Sequence, residues 1–394
     1  MKASASSAPI RLVIDGKPLV APHFSGVGNY TLHLLQALDA RIGERGDIDA
    51  RLAVPFGTAS IARGYGFERI RPLRIPATFT QFQRLQQAGR VPPMDLILGR
   101  GVYFFPDFSR WPLARSRCIT AVHDLCFETV PDMVDEANGA YLRGAVRGSV
   151  TTSDLVTALT HGMRQEIIDF YGIADDRVRV VSCAADEQRF YRRSAAEIAD
   201  MKHRLGIFGD YLVAVGNIEP RKNQARLIRA FTRLDRAVSD RFTLVIAGAG
   251  AWRDAETRAA AEQAIAAGHK VKLLIGEVLA RDLPALYSGA TASVYVSWYE
   301  GFGMPPIESM AAGTPVVAGN RSVLPEVTGD AALLVDPGDE AAIASALARV
   351  CTDTGLRDEL TAKGYENITR YRWSTAADAL ADAVHELAGR SVNP

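Results

Sequence analysis

Two series of short apolar runs, each alternating with longer amphipathic segments, predict an α/β protein of two Rossmann-like, doubly wound domains facing each other across a cleft. Length supports two domains, since 394 residues exceed what one hydrophobic core usually organises. Composition agrees: 48% hydrophobic and 23% charged residues with a mean hydropathy of +0.01 describe an ordinary globular chain.

The first series opens with Arg11–Asp15 and a helix from about Gly28 to Ala40, whose Tyr30, Leu34, Leu35 and Leu38 share one face. Strands are expected near Arg51–Val54, Leu96–Leu98, Cys118–Val122, Leu155–Ala158 and Val178–Val181. The second series restarts at Tyr211–Gly216 and continues at Phe242–Ala247, Val271–Ile275, Ala292–Val296, Pro315–Ala318 and Ala332–Val335. A polar, helix-prone stretch, Ser194–Gly209, reads as the hinge, so the domains are expected at 1–205 and 206–373. Helices are expected at Glu340–Val350 and Ser374–Ala388.

Forty-five basic and forty-five acidic side chains cancel, which removes the global electrostatic case for a nucleic-acid partner. Locally the balance breaks. Between Arg63 and Arg117 ten arginines stand against three acids, an excess that suits an anionic acceptor or a phospholipid surface as well as a solvated face with scattered ion pairs. Cys118, Cys126, Cys183 and Cys351 lack metal-ligand spacing and sit beside apolar residues, as small buried hydrophobes do. Met1–Pro9 has no apolar signal-peptide core and no stretch reaches membrane-spanning length, so the expected location is cytoplasmic, with a peripheral membrane contact as the variant.

Loops after the carboxyl ends of strands are where doubly wound sheets bind ligands. The strongest motif, Glu300-Gly301-Phe302-Gly303-Met304-Pro305-Pro306-Ile307-Glu308, follows the strand ending near Val296. Gly301 and Gly303 permit close backbone approach, and the prolines are tolerated in a helix's first turn. Glu300 in the loop and Glu308 in the helix would accept hydroxyls of two different sugar rings; the plainer alternative is a capping residue and a surface acid. In Glu219-Pro-Arg221-Lys222-Asn223, two adjacent cations at a strand end would meet a diphosphate, in place of a metal, unless they form a charged surface turn.

Gly248 and Gly250, and Gly276-Glu277-Val278, mark two further turns whose backbone could read a nucleobase edge. Ser25-Gly26-Val27-Gly28-Asn29-Tyr30 resembles a dinucleotide fingerprint, but Thr31 replaces the third glycine and the loop lies about ten residues beyond its strand. A flexible glycine loop over a donor phosphate or an acceptor fits better. His123-Asp124 after Cys118–Val122 is placed for the reacting centre, His123 donating to an oxygen and Asp124 orienting it or binding acceptor hydroxyls. An Asp-x-Asp metal pair does occur at Asp47 and Asp49, but it precedes its strand and reads as a solvated turn.

Together these motifs resemble the family 4 glycosyltransferases: the E-x7-E signature of Glu300 and Glu308, followed by S-M-A-A-G-T-P-V-V-A, stands in order after S-G-V-G-N-Y, H-D, G-N-I-E-P-R-K-N and V-K-L-L-I-G-E-V. The resemblance spans nearly the whole chain. It implies a GT-B fold with 1–205 as the acceptor domain and 206–373 as the nucleotide-sugar donor domain, retention of the donor's anomeric configuration and no metal or other cofactor. Glu300 would bind hydroxyls of the transferred sugar, Glu308 the ribose, Arg221 and Lys222 the diphosphate, with Gly26–Gly28 closing over the phosphates. Many members carry Arg after the glycine at 216; here Asn217 follows Gly216, which places more of the phosphate charge on Arg221. Tyr371-Arg-Trp373-Ser374 resembles the crossing back to the first domain, so the helix within 374–394 would belong there, anchored by Trp373.

The wording is similar to that of bacterial mannosyl- and rhamnosyltransferases of polysaccharide assembly. It implies GDP-mannose as donor, with dTDP-rhamnose or a UDP-sugar as alternatives, and an oligosaccharide or lipid-linked saccharide as acceptor. Two other readings are a sugar-nucleotide epimerase, which would lack this E-x7-E loop, and a nucleotide-sugar-binding protein without catalysis, which would not need intact Glu, Arg and Lys positions.

Overall fold

A computed structural model describes residues 8–21, 25–250 and 253–389. The signal-peptide expectation at the N-terminus therefore falls largely, and the last residues of the 374–394 helix fall, outside the described residues. The chain divides into two compact units: the first takes Met1–Leu125, Tyr141–Cys183 and Trp373–Pro394, the second Cys126–Ala140 and Ala184–Arg372.

The first unit holds seven parallel strands, β1 (Ile10–Asp15), β2 (Ile48–Phe56), β3 (Arg71–Thr78), β4 (Val102–Phe105), β5 (Arg117–Ala121), β6 (Leu155–Ala158) and β7 (Val178–Val180). Their order is β3-β2-β1-β4-β5-β6-β7, so the winding reverses between β1 and β4. Two strands depart from the sequence expectation. Leu96–Leu98 is not a strand but part of a helical turn, Asp95–Leu98, with Leu96 and Ile97 exposed. The Asp95 carboxylate holds that turn by accepting from the amides of Ala114 and Arg115 at 2.8 and 2.7 Å. The strand lies just beyond, at Val102–Phe105, where Tyr103, Phe104 and Phe105 are fully buried, as a central parallel strand requires. β3 was not foreseen because its Arg71-Pro-Leu-Arg-Ile-Pro76 reads as a breaker sequence; prolines are tolerated there because β3 is an edge strand.

The helix Trp373–Gly389 packs against the helix Gly26–Arg45 within this unit. Trp373 stacks on His33 with ring centroids 5.5 Å apart and meets the edge of Tyr30 at 5.9 Å. Arg41 Nε donates to Asp378 at 2.9 Å, His385 Nε2 lies 2.8 Å from Asp47, and Arg179 pairs with Glu386 at 2.9 Å. Asp47 and Asp49 are thus not a solvated turn: Asp47 is held by buried Arg41 and by His385, and Asp49 by Arg51.

The second unit holds six parallel strands, β8 (Asp210–Val215), β9 (Phe242–Gly248), β10 (Val271–Ile275), β11 (Ala292–Tyr295), β12 (Val316–Gly319) and β13 (Ala332–Val335). Their order is β10-β9-β8-β11-β12-β13, with the reversal between β8 and β11. The core on one side of this sheet is built from strand residues such as Leu244 and Ile246 and helix residues such as Phe231 and Leu347, all fully buried. The units change over at Cys183–Ala184, ahead of the boundary expected near residue 205. The helix Ala195–Leu205, started by a Ser194–Glu197 capping box, packs on Leu283–Ser288 and so belongs to the second unit. Among the described residues no helix is long and apolar enough to cross a membrane.

Candidate active site

Where the winding reverses in the second unit, the segments leaving β8 and β11 run side by side at the strands' carboxyl ends, the place where doubly wound sheets set their ligand crevice. The β8 segment makes one 3-10 turn, Pro220–Lys222, and Asn223 then enters the left-handed region with φ 62°. Asn223 stays there because its side-chain amide donates to the carbonyls of Val296 and Pro337, at 3.1 and 2.8 Å. This fastens the β8 segment to the β11 segment, with a second tie from Trp298 N to the Arg221 carbonyl at 2.9 Å.

The charges meet at that fastening. Glu300 accepts from Arg221 Nη1 at 3.0 Å, from Lys222 Nζ at 2.7 Å and from the Tyr295 hydroxyl at 2.9 Å. Arg221 also donates to Glu219 at 2.8 Å and to the Tyr299 carbonyl at 2.9 Å, and Lys222 to the Tyr295 hydroxyl at 2.6 Å. Two cations and two carboxylates, all largely buried, form a neutral quartet. Burial by itself would raise the Glu300 carboxyl, but the charges of Lys222 and Arg221 and their hydrogen bonds outweigh it and hold its pKa at about 2. Ser322 Oγ donates to the Glu300 carbonyl at 2.7 Å and fixes the backbone beneath.

The Glu300 loop delivers the chain to the helix Met304–Ala311 through Gly303, whose φ is 92° and where an added Cβ would stand 2.7 Å from Leu324 Cδ2. Pro305 and Pro306 leave only Met304 and Ile307 as amide donors in the first four positions, fewer than the motif suggested. Gly301 is buried, and Phe302 turns its ring into an edge contact with Tyr371 at 5.2 Å, so that ring is occupied by packing. Glu308, half-buried on the helix, accepts from the Tyr287 hydroxyl at 3.2 Å. Burial pushes its pKa up to about 7, with Arg189 and the Tyr287 hydrogen bond pulling the other way.

Around the crevice, Gly216 (φ 151°) would bring a Cβ to 3.8 Å from the Lys222 side chain, and Asn217 is exposed with its carbonyl accepting from Gln224 at 2.9 Å. Gly248 is needed for the backbone itself, since a Cβ there would lie 1.9 Å from the Gly216 carbonyl oxygen. Gly250 and the Gly276-Glu277 turn are exposed and Val278 half-exposed, the Gly276 amide donating to the Gly248 carbonyl at 2.9 Å.

In the first unit, Gly26, Val27 and Gly28 form the first turn of a twenty-residue helix rather than a flexible loop, with Ser25 Oγ accepting from the Gly28 amide at 3.3 Å. Tyr30 is 4% exposed and meets His123 edge-on at 4.8 Å, so it supports that ring from within the core. His123 Nε2 donates to the Pro106 carbonyl at 2.7 Å, which leaves Nδ1 for another partner; Asp124 is half-buried beside it.

Glu219, Tyr295, Ser322, Tyr287 and Arg189 were not singled out by the sequence. Tyr295 alone had a signal, as a polar-tipped residue at the end of the strand that precedes Glu300. A buried hydroxyl at a strand's carboxyl end has to find a partner in the adjoining loop.

Comparison with known proteins agrees with this layout. The family model described as glycosyl transferases group 1 matches residues 203–367, and that described as Glycosyltransferase Family 4 matches residues 24–189. The O-antigen chain mannosyltransferase B of Escherichia coli is 30% identical over 390 residues, covering 95% of this chain and 99% of that protein. The serotype-specific mannosyltransferase WbdA of the same species is 28% identical over 226 residues, 57% of this chain but only 28% of that longer protein. The crystal structure of Anabaena HepE in complex with UDP and glucose superposes with a TM-score of 0.69 over 96% of this chain and 99% of that one, at 18% identity, a likeness of fold. With a relative matched from end to end and the two family models matching the two halves, the chain belongs to the family 4 glycosyltransferases, enzymes that carry a glycosyl group from a nucleotide-sugar donor to a saccharide acceptor.

Proposed function

We propose that this enzyme transfers mannose from GDP-mannose to a hydroxyl of a growing oligosaccharide or lipid-linked saccharide in cell-surface polysaccharide assembly, with retention and without a metal. The observation that carries the reading is the quartet at the β8/β11 reversal, two buried cations beside an ionised carboxylate. The mannose assignment is supported by the named activity of the end-to-end relative.

Arg221 and Lys222 receive the diphosphate, Glu300 accepts hydroxyls of the transferred sugar, and Glu308 accepts those of the ribose. The exposed Gly250 and Gly276–Val278 turns take the base, Gly216 and Asn217 lie along the phosphates, and Gly26–Gly28 and His123 with Asp124 contribute from the first unit. Tyr30 acts through His123. Reaction proceeds by same-face attack. The acceptor oxygen bonds to the anomeric carbon as the bond to the diphosphate oxygen breaks, the leaving phosphate takes the acceptor's proton, and Arg221 and Lys222 stabilise the charge it gains. The exposed arginines between Arg63 and Arg115 suit a peripheral contact with anionic lipid at the cytoplasmic membrane face.

A donor panel of GDP-mannose, dTDP-rhamnose and UDP-hexoses, read by donor hydrolysis with and without EDTA, tests this. GDP-mannose should turn over with EDTA present. Turnover of a dTDP- or UDP-sugar alone would reassign the donor, and loss with EDTA would overturn the metal-free mechanism.

A further inference from the structure

Tyr295, the last residue of β11, carries a buried hydroxyl to which the proposed transfer gives no role. The side chain is 5% exposed, and its oxygen lies 2.6 Å from Lys222 Nζ and 2.9 Å from Glu300 Oε1. Lys222 Nζ also stands 5.1 Å from the centre of the Tyr295 ring. Two glycine positions flank that ring at its hydroxyl end: a Cβ added at Gly216 would stand 3.9 Å from Cε2, and one added at Gly303 3.9 Å from Cε1.

A buried hydroxyl needs only one partner, and a backbone carbonyl would serve. This one has two, of opposite charge, and they fix its polarity. Glu300, with its pKa at about 2, is ionised and only accepts, while the Lys222 ammonium only donates. The hydroxyl therefore donates to Glu300 and accepts from Lys222. Burial, and after it the charge of Glu300, push the Tyr295 pKa well above its ordinary value and keep the group protonated and neutral.

Neutrality matters because Lys222 and Glu300 are assigned different tasks. The ammonium gives two of its three N–H donors to Tyr295 and Glu300, its partners among the described residues, so one is left for a ligand. A carboxylate partner offsets the positive charge that a leaving diphosphate needs, and it is drawn away when it accepts a sugar hydroxyl. A phenol oxygen holds the ammonium by one hydrogen bond and leaves its charge in place. Lysine is a point charge on a flexible four-carbon stem, so without that second hold its position would follow Glu300 alone.

We propose that Tyr295 is a positioning residue of the transfer, its hydroxyl aiming the Lys222 ammonium at the leaving diphosphate while Glu300 engages the sugar. The proposal rests on the reading of Lys222 as the diphosphate's partner and adds what holds it there. No bond to Tyr295 is made or broken in the reaction.

A double-mutant cycle of wild type, Tyr295→Phe, Lys222→Ala and the double variant tests this on the full chain. The readouts are turnover at saturating levels of the nucleotide sugar that the donor panel identifies, and affinity for its nucleoside diphosphate by calorimetry. Tyr295→Phe keeps the ring and removes only the hydroxyl. It should lower turnover by about 10–100-fold, the scale on which misplacing a group at the reacting centre is felt, and leave nucleoside diphosphate affinity within about threefold. In the Lys222→Ala background the same change should cost less than about twofold, because a residue that acts through Lys222 has nothing left to aim. Unchanged turnover in Tyr295→Phe, the full cost in both backgrounds, or an equal loss of nucleoside diphosphate affinity would overturn the proposal. Tyr295→Met, which also lacks the hydroxyl, takes its place in the cycle if Tyr295→Phe does not fold. An impaired Lys222→Ala beside an unimpaired Tyr295→Phe would sink this proposal alone, whereas near-normal turnover of Lys222→Ala would sink the reading of Lys222 and the role of Tyr295 with it.

Discussion

The two sheets share one winding over six strands and differ in what stands where it reverses. At β8/β11 the segments are fastened by Asn223 and filled by a neutral quartet of Glu219, Arg221, Lys222 and Glu300. At β1/β4 they stand apart around an open cavity whose charges are engaged locally. The difference teaches that this topology supplies only the place. One reversal point is lined by fixed, paired charges, and the other by amides, rings and charges engaged with their neighbours.

The sharpest way to break that contrast is to unbalance the quartet. Lys222→Ala should lower turnover at saturating donor by about 10²–10³-fold, the usual cost of losing one preorganised group facing developing charge. Near-normal turnover would remove Lys222 from the reaction. Glu300→Gln should split two measurements. Turnover should fall by a similar factor, yet affinity for GDP should rise about tenfold, because the carboxylate that holds Arg221 and Lys222 in the absence of ligand no longer competes with the diphosphate for them. Equal losses in both would mean that Glu300 only holds the loop in shape.

Glu308 sharpens the comparison through pH. Its carboxyl sits at about 7, so between pH 6 and 8 it passes from mostly neutral to mostly ionised. A charged acceptor holds a hydroxyl more tightly than a neutral one, so GDP affinity should rise across that window by up to about tenfold more in the wild type than in Glu308→Gln. The sign for stability is opposite. A carboxyl whose folded pKa lies above its unfolded value lets the native state bind more protons, so its contribution falls as pH rises from about 4.5 through 7. Glu308→Gln should therefore gain in melting temperature over the wild type at pH 8 and not at pH 4.

What the sequence made legible followed the same division. The six strands of the second sheet were readable because buried parallel strands are written as near-continuous apolar runs, and Glu300, Arg221 and Lys222 because they sit in loops directly after such runs. In the first sheet Leu96–Leu98 misled for a physical reason. An apolar triplet satisfies the strand pattern wherever it lies, and only the Asp95 side chain reaching Ala114 and Arg115, about twenty residues on, makes it a turn. β3 was hidden by prolines that only an edge position tolerates. Asp47 looked like a solvated turn because one of its partners, His385, is brought to it by a helix more than three hundred residues away in sequence, and the other, Arg41, is held beside it by Asp378 of that same helix.

That last contact bears on the first unit alone, and on its stability rather than on the reaction. Arg41 is 7% exposed and lies between Asp47 and Asp378, so Asp47→Asn leaves a nearly buried guanidinium with one carboxylate instead of two and takes the carboxylate from His385. The cost should be about 1–3 kcal/mol, seen as a lower unfolding midpoint, with the docking of Trp373–Gly389 on the helix Gly26–Arg45 loosened first. Although burial alone would raise the Asp47 carboxyl, His385 and Arg41 together hold it below its ordinary value. Its contribution is therefore complete above about pH 4 and lost as pH falls through the lowered pKa, so the wild type and Asp47→Asn should converge in acid. Hydrogen exchange should show the loosening in the last helix while the amides of β8 and β11 keep their protection. If protection fell equally in both sheets, the two units would unfold as one, and the contrast between their reversal points would have to be argued without independent stability.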